Sequence, residues 1–244
     1  MRKTVFLLFF IFGCIIWAGN LNAQGYTPPS MVFGLSLDGN LATNDAHGSA
    51  LDNTTISSST YGMVWGRGAT IFGKFGLGVR KNHRLTVSAT YNKMVHDDSG
   101  EMPFFNFSPV EPYTNYDVLS GAFGYEYAFN PRCKNKQFIG FALTTNYIVV
   151  KNKGLAYTAD IENSFRVGLQ VTSGYEWTLD KEQQYGIFIG LRYNLTNILG
   201  TKNADGSLND GSGSPGPGFW RRIGFLSINL GFNFYTGVKP YRAK

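Results

Sequence analysis

The side chains that could do chemistry are few and scattered. His47, His83 and His96 are the three histidines of the chain. His47-Gly48-Ser49 sets an imidazole beside a hydroxyl nucleophile. Nucleophilic catalysis needs the base held rigidly by a third group, and this triplet lies in a polar, glycine-containing stretch that reads as solvated loop. His96-Asp97-Asp98 with Glu101 could offer ligands to a cation. It lacks the glycine placement and ligand count of a calcium loop. Gly66-x-Gly68 has neither the third glycine nor the following helix of a dinucleotide fingerprint. Asn53-Thr54-Thr55, Asn106-Phe107-Ser108 and Asn194-Leu195-Thr196 match the glycosylation triplet, a pattern common by chance. No catalytic, cofactor-binding or metal-binding residue and no enzymatic activity is expected of this sequence. Four charges remain, Lys74, Glu126, Glu176 and Arg192, each within a stretch otherwise made of apolar residues, glycines and small polar residues. Buried charges persist when paired, so the elements that carry these four decide what they do.

Those elements have an apolar period of two. Phe165, Val167, Leu169 and Val171 alternate with Arg166, Gly168, Gln170 and Thr172, and Leu226, Ile228, Leu230, Phe232 and Phe234 alternate with Ser227, Asn229, Gly231 and Asn233. Such alternation marks strands with one greasy and one wet face. The pattern predicts eight strands, at 30–38, 61–80, 84–93, 117–129, 137–150, 163–179, 185–196 and 222–234. The gaps between them alternate long and short, beginning and ending with a long one. Short turns at one end and long loops at the other are the rhythm of an up-and-down transmembrane barrel with both termini on the short-turn side. The long gaps hold most of the acids, while the short gaps and the C-terminal end are rich in Lys and Arg.

Composition agrees. The chain of 244 residues is 43% hydrophobic and 16% aromatic but only 16% charged, with 30 glycines. Its mean hydropathy is −0.14, and no apolar run past residue 23 approaches the roughly 20 residues that a spanning helix needs. In hydrocarbon every backbone amide needs a partner, which only helices and closed sheets supply. A soluble barrel or sandwich would carry its greasy face inside. Here the wet face is rich in glycine and other small residues, which suits a narrow interior, and Tyr and Trp lie near the strand ends as interfacial girdles would. A formal net charge of +6 without a clustered basic stripe does not indicate nucleic acid.

By parity, Lys74, Glu126, Glu176 and Arg192 all lie on the wet, inward face. An eight-stranded barrel is just wide enough for side chains to fill. The four are therefore expected to form an ion-paired interior cluster, with Arg166 nearer the mouth. Four independent charges in interior water are the alternative. A plug would leave no continuous channel.

This strand and loop rhythm, closed by the aromatic-ended strand Ser227-Ile228-Asn229-Leu230-Gly231-Phe232-Asn233-Phe234, resembles the small eight-stranded outer-membrane barrels of the OmpA-barrel/OmpX type in the porin superfamily. The resemblance covers residues 30–234. It implies an all-β antiparallel barrel in a Gram-negative outer membrane, contacts with outer-membrane lipid and lipopolysaccharide, and insertion by the barrel-assembly machinery. Met1-Arg2-Lys3, the apolar run Val5 to Trp17 and the small residues ending at Ala23 have the layout of a secretory signal peptide. The expected organisation is a signal peptide at 1–23, a barrel at 24–234 and a basic C-terminal tail at 235–244. Cys133 would then be the single remaining thiol, without an internal disulfide partner. Function divides between a structural or interaction barrel, using its long loops for surface contacts or docking to an envelope protein partner, and a narrow porin. A lipid A-modifying enzyme is a third, weaker reading.

Overall fold

The computed structural model describes residues 27–47, 62–96, 113–153, 163–180, 182–200 and 222–239. The strands are β1 (Met31–Asn44), β2 (Met63–Leu77), β3 (His83–His96), β4 (Tyr113–Ala128), β5 (Asn135–Lys153), β6 (Ser164–Thr178), β7 (Tyr185–Leu195) and β8 (Ile223–Thr236). Each pairs antiparallel with its sequence neighbours, and β1 pairs with β8, closing the barrel. Closure gives every strand two ladders, so no edge is left with unpaired amides.

The period-two pattern becomes an inside-out distribution of polarity. Leu37, Ile71, Phe123, Leu143, Phe165 and Leu230 are exposed on the outer wall, while Ser36, Thr70, Asn92, Ser120, Asn146 and Asn229 are buried inside. This is the polarity of a barrel solvated by lipid. The connections 78–82, 129–134 and 179–184 are short, and the strand ends that lead into the longer connections all lie at the opposite end of the barrel. Aromatic contacts ring the short-turn end: Tyr185 meets Phe234 at 5.8 Å, Tyr175 meets Trp177 at 4.4 Å, and Tyr127 meets Phe129 at 5.1 Å. Tyr147 and Phe165 meet at 4.8 Å, their rings tilted by 47°, nearer the other end.

Most strands depart from the sequence expectation at one end or both: β3 continues past 93 to His96, β4 begins at Tyr113 rather than 117, and β5 runs from Asn135 to Lys153 rather than over 137–150. β1 continues six residues beyond 38 to Asn44, because it pairs with β8 along the whole of its length. β2 stops at Leu77 rather than 80, and Gly78 takes φ +67° in the turn, a conformation easy only for glycine. β8 runs past Phe234 to Thr236 and carries Tyr235 into the interior. The inward glycines allow the wall to close tightly. A Cβ on Gly231 would lie 2.2 Å from the Leu35 carbonyl oxygen and 2.6 Å from the Phe188 ring.

Candidate functional site: the filled barrel interior

The interior is filled in three tiers. The tier nearest the short turns is ionic. Lys74 on β2 places its Nζ 2.8 Å from Glu126 Oε2 on β4 and 2.8 Å from Glu176 Oε1 on β6. Arg84 on β3 reaches the same two carboxylates, its Nη1 lying 3.0 Å from Glu126 Oε1 and 3.3 Å from Glu176 Oε1. The Tyr235 hydroxyl donates to Glu176 Oε2 at 3.3 Å and accepts from Asn233 Nδ2 at 3.1 Å. Lys74 Nζ also stands 4.0 Å from the centre of the Phe138 ring. Lys136 donates to Thr178 Oγ1 at 2.6 Å and lies 4.6 Å from the Tyr235 ring. Each carboxylate thus bridges two cations. Glu176 is 0% exposed and Arg84 1%, so these are ion pairs removed from bulk solvent, where screening is weak.

The middle tier is built on Asp38. Its Oδ1 accepts from Ser36 Oγ and Asn229 Nδ2, both at 2.7 Å. Its Oδ2 accepts from Thr70 Oγ1 at 2.5 Å and from Arg192 Nη1 at 3.4 Å. Arg192 Nη1 also donates to Thr70 Oγ1 at 2.9 Å and to Thr90 Oγ1 at 3.3 Å. Asn40 donates to Asn92 at 2.7 Å beside them. Across the lumen Ser120 donates to Asn146 Oδ1 at 2.6 Å, and Asn146 donates to Thr144 Oγ1 at 2.9 Å and to the Thr196 carbonyl at 2.8 Å.

The tier nearest the long connections is apolar. Ala42, Ala46, Met63, Met94, Tyr116, Val118, Ile148, Ile223 and Phe225 form one buried cluster. Ala42, Met94 and Tyr116 lie on stretches of strand beyond the expected boundaries, whereas Met63, Val118, Ile148, Ile223 and Phe225 fall within them.

Of the four charges singled out in the sequence, the structure brings together Lys74, Glu126 and Glu176. Arg192 stands apart from them. On β7 it lies opposite Thr172 and Ser227, several residues toward the long-loop end from Glu176, and its carboxylate partner is Asp38. Arg166 is also buried, and donates to the Phe165 carbonyl at 2.9 Å. Three charged members escaped the sequence reading. Lys136 stands one residue before the predicted start at 137, on a strand that in fact begins at Asn135. Arg84 stands at the start of β3, where parity alone places it inward. Asp38 fell at the end of a predicted strand that in fact runs on to Asn44, which makes Asp38 a mid-strand interior residue. Of the loop candidates, His47 makes an isolated bridge to Met63, and the His96 amide donates to Asn115 Oδ1 at 3.1 Å. Ser49, Asp97, Asp98 and Glu101 lie outside the described residues, as do residues 1–23 and 240–244. Among the described residues no group of three or more His, Cys, Asp or Glu is placed to hold a metal ion.

No protein-family model matches the chain, and no curated protein matches it. Solved structures similar to it include Neisserial surface protein A, at 13% identity and a TM-score of 0.49 over 87% of this chain and 99% of that one. Ail, the attachment invasion locus protein of Yersinia pestis, crystallised with the heparin analogue sucrose octasulfate, matches at 10% identity and 0.42 over 86% and 99%. The outer membrane protein OprG from Pseudomonas aeruginosa matches at 9% identity and 0.45 over 87% and 98%.

Proposed function

We propose that this chain is an integral outer-membrane barrel with a structural or interaction role, closed to solutes, that presents its long loops at the cell surface and keeps both termini in the periplasm. The observation that carries this reading is the filled lumen. An ionic tier, a hydrogen-bonded tier and an apolar tier follow one another along the axis. A narrow pore would have to break all three. An apolar constriction by itself opposes conduction by dewetting, and the ionic tier opposes it because its charges are already neutralised by each other. The inside-out polarity and the tight turns at one end support the membrane location and the orientation. The barrel-assembly machinery, lipopolysaccharide and an envelope protein are the partners this role implies, and it is not enzymatic.

Planar-bilayer recording on the purified, refolded protein tests the reading. The expected result is no steady unitary conductance in wild type. Steady single channels that persist when Met63 and Phe225 are enlarged or replaced by polar residues would make the chain a narrow porin instead.

A further inference from the structure

The basic residues of the short connections have no part in the filled interior. At this end the barrel presents the turns 78–82, 129–134 and 179–184 and the paired ends of β1 and β8. Charge is not spread evenly among them. The turn 78–82 carries Arg80 and Lys81, and the neighbouring turn 129–134 carries Arg132 and Lys134. Neither turn contains an acid. Outside the ionic tier, the acids at this end among the described residues are Asp180 and Glu182, and both belong to the turn 179–184. One corner of the rim is thus purely basic.

Three observations describe how that corner is built. First, its two turns are held side by side. Asn82 donates from Nδ2 to the Ala128 carbonyl at 2.8 Å, and its own carbonyl accepts from the Ala128 amide at 2.7 Å. The first turn is therefore tied to the end of β4, from which the second begins. Two strand spacings, about 10 Å, separate the middles of the turns. Arg80 and Arg132 are both exposed, whereas Lys81 folds back onto the Gly76 carbonyl at 3.0 Å. Second, the wall between the turns is aromatic with polar tips. His83 opposes Tyr127 across β3 and β4, their rings 5.4 Å apart, and His83 Nδ1 meets the Tyr125 hydroxyl at 2.5 Å. Phe129 meets Tyr127 at 5.1 Å, and Phe141 meets Tyr125 at 5.7 Å. Rings of this kind sit where hydrocarbon gives way to headgroups. Third, the arginines stand just beyond that boundary. Arg80 precedes His83 by three residues and Arg132 follows Phe129 by three. Three residues span at most about 10 Å, and the headgroup layer is about 5–8 Å deep on each side of the hydrocarbon. The turn also sets Val79, 87% exposed, directly beside Arg80. An apolar side chain next to a cation at a turn tip suits a headgroup layer better than open water.

We propose that this corner binds one anionic phospholipid of the periplasmic leaflet, its phosphate clamped between Arg80 and Arg132 and its chains laid along the wall over Leu85, Tyr125 and Phe141. Arginine grips a phosphate bidentately, and reaching from both turns the two close the gap on one anion. A zwitterionic head brings an ammonium group that neither turn can answer with a carboxylate, so the site prefers a lipid of net negative charge. The site rests on the short-turn end facing the periplasm, as proposed above.

Native mass spectrometry of the refolded protein in detergent micelles tests it, with phosphatidylglycerol and phosphatidylethanolamine of the same chains as titrants. One copy of phosphatidylglycerol is expected to bind at least about tenfold more tightly than phosphatidylethanolamine, from about fivefold for each arginine beside an anionic headgroup. Arg80→Gln and Arg132→Gln should each lose about fivefold, and the double variant the whole preference, with heat-modifiable migration checking that each variant is folded. Equal affinity for the two lipids, or an undiminished preference in the folded double variant, would overturn the site. Displacement of the lipid by millimolar glycerol phosphate would make the corner a site for soluble anions, and tighter binding of polyglutamate would make it a dock for an acidic protein; either result overturns the lipid. Cys133, a free thiol in the turn 129–134, reports separately on orientation. An impermeant maleimide should reach it only after the outer membrane is permeabilised. Labelling at Cys133 in intact cells would overturn the orientation in the proposed function and with it the periplasmic leaflet as the source, while the micelle titration judges the corner by itself.

Discussion

Neutralising Glu176 is the sharpest probe of the ionic tier. Glu176→Gln keeps the shape of the side chain and its ability to accept from Tyr235, but removes the charge that faces Lys74 at 2.8 Å and Arg84 at 3.3 Å. Both cations must then share Glu126, and Lys136 adds a third positive charge to the tier. All of these groups are buried. Breaking a buried ion pair by removing one partner costs about 3–5 kcal/mol, because the other charge is left uncompensated. The geometry places Glu176→Gln in that range, since it leaves two cations short. The companion change Lys74→Met removes one of them and leaves its stem packed against Phe138. The double variant Lys74→Met/Glu176→Gln should therefore recover at least about 1 kcal/mol over the sum of the singles, as contacting residues in one network do. Urea unfolding in lipid vesicles, followed by tryptophan fluorescence and by heat-modifiable gel migration, measures all three. A loss below about 1 kcal/mol for Glu176→Gln, with strict additivity in the cycle, would mean the charges act independently in interior water, and the plug argument would fall.

Three further outcomes are expected. Leu230 is 63% exposed on the outer wall, so Leu230→Arg should destabilise the folded barrel by roughly 2–4 kcal/mol near mid-membrane; an effect near zero in vesicle unfolding would contradict the assignment of that wall to lipid. Gly231→Ala forces a Cβ to within 2.2 Å of the Leu35 backbone oxygen, whereas Gly39→Ala meets nothing within 4 Å. The first should cost about 1–3 kcal/mol by overpacking and the second little, and the reverse order in the same assay would refute the register of β1 with β8. Asp180, in the turn after β6, is slightly desolvated, which raises its pKa, but the amides of Gln184 and Tyr185, each 2.9 Å from its carboxylate, outweigh this and hold it below the ordinary aspartate value. A depressed folded pKa gives stability that is present above the unfolded pKa and lost as pH falls through the folded one. Protease nicking of the turn 179–184 should therefore increase below about pH 4 in wild type, and Asp180→Ala should show that susceptibility already at neutral pH; identical pH profiles for the two would remove the turn's dependence on the carboxylate.

The sequence by itself determined the strands, their number, their alternation of short and long connections, and the face each side chain takes. These follow from the period of two, which is local: once Leu169 lies on the outer wall, Arg166 and Glu176 on β6 must lie inside, whatever the neighbouring strands do. For the same reason Lys74, Glu126 and Arg192 were legible as inward residues. Only the tertiary structure decided which inward residues meet. That depends on the stagger between strands, which accumulates around the barrel and is fixed by closure of β1 on β8, a condition that no single segment contains. Stagger brings Lys74 to Glu176 across 102 residues of sequence and sends Arg192 to Asp38. It also stacks Met63, Met94, Ile148 and Phe225 into an apolar tier where the linear pattern shows only irregular strand ends. The opposition of Arg67 and Lys93 is of the same kind. Each lies on the outward parity of its own strand, and only the register that joins β2 to β3 sets the two opposite each other, because side-chain direction is set residue by residue whereas partnership is set by distance in space.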